Sequence, residues 1–122
     1  MLKHLIMGML VIGNYTQHSA KRTVLLFADK SSQSALKQQE RLLMADKAGL
    51  QQRDVEVMIY DSKSAAAKNN HIRSGFTVLL IGKDNGEKLR SHQPVTTKKL
   101  FGLIDAMPMR KEEMMHADQE EE

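Results

Sequence analysis

The stretch TVLLFADKSSQSALKQ, residues 23–38, decides the fold. Thr23–Ala28 is a continuous apolar run, which suits a strand covered on both faces. A polar turn follows, and a helix opens near Ser34. In open α/β folds the crevice beyond the strand's carboxyl end is the usual ligand position. Thiol-redox proteins place a Cys there, where a helix N-terminus lowers its pKa. This turn instead offers Lys30, Ser31, Ser32, Gln33 and Ser34, and the whole chain has no Cys.

Working outward, Ser34–Ala48 reads as a helix with Leu36, Leu43 and Met44 as its apolar stripe and Ala35 and Leu42 beside them. Gly49 stands where a C-terminal cap belongs, followed by Leu50 as its hydrophobic partner. Val55–Tyr60 alternates, with Val55, Val57 and Ile59 on one face, as expected of a strand near an edge. Ser62–Asn70, rich in Ala and Lys, has room for a short helix, and Phe76–Ile81 is apolar throughout and therefore central. Asn85-Gly86 is the strongest short hairpin signal in the chain. The return strand, Glu87–Ser91, has Leu89 as its one apolar residue, and charges on an edge strand discourage pairing with other chains. Thr96 or Thr97 then caps a helix that buries Leu100, Phe101, Leu103, Ile104 and Met107, with Pro108 expected to end it. The first two strands, joined by a helical crossover, should be parallel. The expected fold is a thioredoxin-like α/β domain: a four-stranded mixed sheet of order 2-1-3-4 flanked by helices.

The chain of 122 residues has room for one domain with a modest core. Its 41% hydrophobic and 27% charged residues are those of a globular protein. The absence of Cys excludes disulfides, thiolate catalysis and thiolate metal sites. Aromatic residues make up only 4%, which argues against the stacking platforms of single-strand nucleic-acid binders. Residues 1–20 open with Lys3 and His4, continue with an apolar run from Leu5 to Gly13, and end in polar and small residues. That is the layout of a secretory signal, with cleavage after Ala20 or Gly13; the alternative is a buried N-terminal element of the domain. The run is short of the ~20 apolar residues that a membrane span needs. Without Cys for a lipid anchor, the exported product is expected to carry no membrane anchor. The domain is placed at 21–111 and a polar acidic tail at 112–122, ending in a disordered ADQEEE.

The segments RTVLLFA, GFTVLLIGKDNGEKLR and LFGLIDAMPMRKEEM together resemble a bacterial family known only as a domain of unknown function, related to the DUDES domain of secreted sushi-repeat and coiled-coil proteins. The resemblance spans residues 22–114. It implies a thioredoxin- or peroxiredoxin-like fold in exported proteins, without a settled activity or agreed catalytic residues. Working enzymes of this fold hold a Cys in the first turn and a proline just before the third strand. Here the latter place reads Arg73-Ser74-Gly75-Phe76, and Pro94 and Pro108 lie elsewhere.

Several constellations invite chemistry. A Ser nucleophile at 31, 32 or 34 needs a base and an orienting third group; no His is tied to the turn by spacing, and capping explains the Ser cluster better. Lys30 beside a helix N-terminus suggests an anion site, but no Gly opens the turn to a phosphate. Catalysis by Arg22 or Arg73 would require a pocket with a perturbed ionisable group. Met109, Met114, Met115 and His116, with Met107, are soft ligands suited to Cu(I), although Met is also an adaptable core filler. Lys83, Lys88 and Arg90, with Lys98 and Lys99, form a basic stretch without the aromatic interleaving of a nucleic-acid surface. The expectation is therefore a non-catalytic, exported, cofactor-free domain that binds an unidentified protein partner through the 27–38 turn (Lys30, Ser31, Ser32, Ser34) and the basic hairpin (Lys83, Lys88, Arg90). Copper handling through the C-terminal Met and His residues is the alternative.

Overall fold

Four strands form one sheet, with the first and third in sequence at its centre and the second and fourth at its edges, in a computed structural model that describes residues 20–121. The secretory reading of residues 1–20 lies, Ala20 aside, outside the described residues. β1 (Arg22–Ala28) runs parallel to β2 (Val55–Asp61) and antiparallel to β3 (Thr77–Ile81). β3 returns through a hairpin to β4 (Glu87–Ser91). Between β1 and β2 lie a 3-10 turn (Lys30–Ser32), α1 (Gln33–Met44) and α2 (Lys47–Gln52). A short α3 (Ala65–Asn69) precedes β3, and α4 (Thr97–Asp105) and α5 (Pro108–Glu121) follow β4.

The alternation of β1 sends its side chains to both sides of the sheet. Val24, Leu26 and Ala28 join Val78 and Leu80 under Leu36, Leu43, Leu50, Leu100 and Ile104 from the flanking helices. On the other face Phe27 and Leu79 pack with Ala67 and Ile72, and Phe27 stacks on its register partner Tyr60 at 5.7 Å between ring centroids. The two apolar runs are thus the central strands, as expected from their lack of a polar face.

Three expectations need correction. The first helix does not run unbroken to a Gly49 cap: α1 ends at Met44, and Gly49 lies within α2. A Cβ on Gly49 would sit 2.6 Å from Phe101 Cε2, so this glycine permits close packing and is not a left-handed terminus. The left-handed residue that releases the chain into β2 is Asp54, with φ 55°. Met44, expected on the buried stripe, is exposed, whereas the polar Gln39 is buried beside Leu36 and Leu43. The Gln39 amide donates to the Val95 carbonyl at 2.9 Å and accepts from the Val95 N–H at 2.8 Å.

α4 ends at Asp105, ahead of Pro108 as expected, but Pro108 also opens a further helix as the first residue of α5. Its missing N–H is no loss there and its fixed φ suits a helix start. The expected tail is helical to Glu121 and is tied to the domain by Glu113, which accepts from both Arg22 terminal nitrogens at 3.2 Å. The hairpin turns as anticipated at Asn85, whose φ is 68° and whose N–H donates to the Gly82 carbonyl at 2.9 Å.

Candidate functional site

The carboxyl ends of β1 and β2 open onto a depression of about 370 Å³ lined by Asp29, Lys30, Ser31, Asp61 and Lys63. Asp29 is the residue that β1 delivers to this end, in extended backbone just before the 3-10 turn. Its Oδ1 accepts from the Ser31 N–H (3.1 Å), the Ser31 hydroxyl (2.7 Å) and the Ser32 hydroxyl (3.0 Å). The Asp29 N–H donates back to Ser32 Oγ at 2.9 Å, completing a reciprocal cap. Its Oδ2 accepts from the Gly75 N–H at 2.8 Å, which ties the turn to the segment leading into β3. Gly75 holds φ 76°, a left-handed conformation natural to glycine.

These donors stabilise the ionised carboxylate. The Ser31 hydroxyl, then the Gly75 N–H and the Ser32 hydroxyl, hold Asp29 far below the usual carboxylate range. The consequence for catalysis is direct. Ser31 Oγ lies within reach of a carboxylate, but one so weakly basic is a poor proton acceptor. Among the described residues no His hydrogen-bonds either serine, and the bonds the serines do make are those of a capped turn.

Of the residues expected at this surface, Lys30 and Ser31 line the depression and are exposed. Ser32 is turned inward onto Asp29, and Ser34 is exposed in the first turn of α1. Asp29, Asp61 and Lys63 were missed by the sequence reading. The pattern Asp-x-x-Ser directly after a strand was the available signal for Asp29, since Asp is among the favoured N-caps. Asp61 closes its own local turn by accepting from the Lys63 N–H at 2.8 Å.

The basic hairpin is not part of the same site. Thr23 pairs with Ile81 and Phe27 with Thr77, so the hairpin leaves the opposite end of the sheet from Asp29. Its cations are also matched by acids. Lys83 Nζ reaches Asp54 at 2.9 Å and Glu113 at 2.8 Å, Lys88 reaches Asp84 at 2.9 Å, and Arg90 forks onto Glu87 at 2.9 Å. Burial disfavours both charges of the Lys83–Glu113 pair, but their hydrogen bonds prevail: Lys83 is raised and Glu113 lowered from their ordinary values.

That end also holds a cavity of about 130 Å³ bordered by Arg22, Lys83, Lys88, Met107 and Met109. Arg22, fully buried, donates to the Arg53 carbonyl at 2.8 Å as well as to Glu113, and its Nε has no partner among the described residues. Arg73 is exposed, at the segment before β3. The Met and His residues of the copper reading lie along α5. At 100° per residue, Met109 and His116 share a face two turns apart, while Met114 and Met115 point elsewhere. Among the described residues no three His, Asp or Glu side chains converge as metal ligands would.

A parallel β1–β2 pair extended antiparallel by β3 and β4, with helices on both faces, is the thioredoxin-like arrangement. Two solved structures share this fold, the second of them a thioredoxin. One is described as the structure of a malarial protein (21% identity, TM-score 0.57, covering 70% of this chain and 94% of that one). The other is thioredoxin-2, a component of the malaria parasite protein secretion machinery (20% identity, TM-score 0.51, covering 71% and 84%). Residues 15–113 match the family described as a domain of unknown function, DUF4174, and the chain belongs to that family. No curated protein matches it. Thiol–disulfide exchange is closed to a chain without Cys.

Proposed function

We propose that this protein is an exported, non-catalytic thioredoxin-like domain, akin to the DUDES domains of secreted proteins, that acts by binding a protein partner at the depression beyond β1 and β2. The observation that carries the reading is the state of Asp29. At the place where this fold keeps its reactive group stands a carboxylate whose acceptor sites are filled by Ser31, Ser32 and Gly75. Its Oδ1 is fully engaged and its low proton affinity makes it a poor base. What remains accessible is a preformed rim of Lys30, Ser31, Asp61 and Lys63 on rigid element ends, and preorganisation of this kind lowers the ordering cost of association. The basic, apolar and polar layout of residues 1–20 supports export.

Photo-crosslinking residues placed at Lys30 and Lys63, in the cells of origin, test the surface, with Lys111 on α5 as the control position. A discrete adduct from both rim positions, absent from Lys111, is expected. Equal labelling from all three positions would refute a site at the depression. Intact-mass measurement by compartment tests export: a product lacking residues 1–13 or 1–20 outside the cytoplasm is expected, and a full-length cytoplasmic product overturns it.

A further inference from the structure

The two edges of the sheet are built differently. β4 carries Glu87, Lys88 and Arg90 and a bulge against β3 between Leu80 and Ile81, the devices that guard an edge against further pairing. β2, with the sequence VEVMIYD, has no Lys, Pro or Gly, pairs with β1 in unbroken register over all seven residues, and carries one interior charge, Glu56. Three of the six large hydrophobic side chains exposed among the described residues are consecutive on it: Val57 (36%), Met58 (37%) and Ile59 (48%). Val57 and Ile59 share the Val24–Leu26 face and Met58 the other, so apolar surface borders the edge on both sides.

The backbone phase of this edge follows from its two end bonds. The Arg22 N–H donates to the Asp54 carbonyl and the Ser62 N–H to the Ala28 carbonyl, each at 2.9 Å. In a regular parallel ladder the even-numbered residues of β2 therefore face β1. The N–H and C=O groups of Val55, Val57, Ile59 and Asp61 point out of the sheet.

We infer that β2 is a self-association edge, on which a second copy of this chain pairs antiparallel about a two-fold axis through Met58. Centred there, the strand is complementary to itself. Val57 exchanges both backbone bonds with Ile59 of the second copy, Val55 does so with Asp61, and all four outward residues are satisfied. The β-branched side chains of Val57 and Ile59 meet across the join, a favourable cross-strand pair. Glu56 faces Tyr60, and no like charges stand opposite each other within the strand. Met58 meets its own copy at the axis, as a two-fold contact requires. The contact is a strand edge about 23 Å long, smaller than an obligate interface, so a concentration-dependent monomer–dimer equilibrium is expected. This inference is argued independently of the partner-binding reading, although the two surfaces meet at Asp61.

The chain's lack of Cys permits a clean test. At a non-hydrogen-bonded antiparallel pair the Cα atoms lie about 4.5 Å apart, inside the range a disulfide spans. Met58→Cys, oxidised with glutathione disulfide in the mature and full-length chains, should give a covalent dimer. Val57→Cys and Ile59→Cys, displaced diagonally from their own copies, should link at least tenfold more slowly. Sedimentation of the unmodified protein over a hundredfold concentration range should show reversible dimerisation, which Ile59→Lys abolishes without lowering the melting temperature at concentrations where the unmodified protein is monomeric. Three results would overturn the inference: a monomer at every concentration, equal linking at all three positions, or strong amide-exchange protection of the outward Val57 and Ile59 N–H groups in a monomer, which would show the edge already covered.

Discussion

Removing the Glu113 carboxylate, as in Glu113→Ala, tests whether α5 belongs to the folded body. Arg22 is wholly buried at the start of β1, and Glu113 caps both its terminal nitrogens while remaining 27% exposed. Without Glu113 the guanidinium keeps a single acceptor, the Arg53 carbonyl at 2.8 Å, and its Nε is already unpartnered. Breaking a buried pair by removing one partner costs about 3–5 kcal/mol. The partial exposure of Glu113 admits water to the vacated space, so the expected loss is about 2–3 kcal/mol. For a domain of this size that lowers the melting temperature by about 8–12 °C. Thermal and urea denaturation read the effect, with Glu112→Ala, one residue away and exposed, expected within about 0.5 kcal/mol of the unmodified protein. The double replacement Arg22→Met with Glu113→Leu should recover most of the loss, because it removes the stranded charge together with its partner. The pH dependence has a definite sign. Burial opposes the charge of Glu113, but Lys83 and Arg22 hold its pKa below the ordinary value. Its contribution is complete above the unfolded pKa, about 4.3, and is lost as pH falls from there through the lower folded value. Glu113→Ala should therefore flatten part of the acid-induced loss of stability. Equal stability of the Glu113→Ala and Glu112→Ala proteins would refute the reasoning and leave α5 undocked.

Gln39→Leu strands the N–H and C=O of Val95 in the core, and should cost about 2–3 kcal/mol in urea denaturation despite the gain in apolar volume. Gly49→Ala drives a methyl group into the Phe101 ring, against whose face the Arg53 guanidinium is packed at 3.9 Å; a loss of about 1–3 kcal/mol is expected from melting curves. Asp29→Ala should accelerate hydrogen exchange at the Ser31 and Gly75 amides and reduce acid sensitivity. The depressed Asp29 contributes fully above the ordinary Asp pKa and loses that contribution only as pH falls toward its much lower folded value.

Much of the fold was legible because it rests on one-dimensional patterns. The uninterrupted apolar runs at Thr23–Ala28 and Phe76–Ile81 leave no face for water, and Asn85 supplies the left-handed turn residue the hairpin needs. Glycine and proline were harder to read, because each serves two purposes. Gly49 matches the composition of a helix cap, yet its role depends on Phe101, distant in sequence. Pro108 stops one helix pattern and starts the next, and the choice is decided by Arg22, which needs Glu113. Gln39 is a polar residue on a helix, and only its two bonds to Val95 explain its burial. The site was half visible for the same reason. The Ser cluster announced a capped turn, but the bond from Gly75 N–H to Asp29 joins residues far apart in the chain.

That bond also bears on what a thioredoxin-like scaffold without Cys places at the end of β1. A polar residue placed at the end of β1 faces the segment before β3, because β1 and β3 are neighbours and Phe27 pairs with Thr77. In this chain Asp29 fills that space with a structural contact that joins the two segments. Filling it has a cost in chemistry, since a carboxylate that accepts four hydrogen bonds and is held far below the usual range is a poor base. It has a gain in rigidity, since the turn, the start of α1 and the approach to β3 become one hydrogen-bonded unit. The loss and the gain act on the same atoms, so restoring reactivity by loosening Asp29 would also loosen the rim formed by Lys30, Ser31, Asp61 and Lys63. In that sense the non-catalytic reading and the binding reading are a single claim about Asp29.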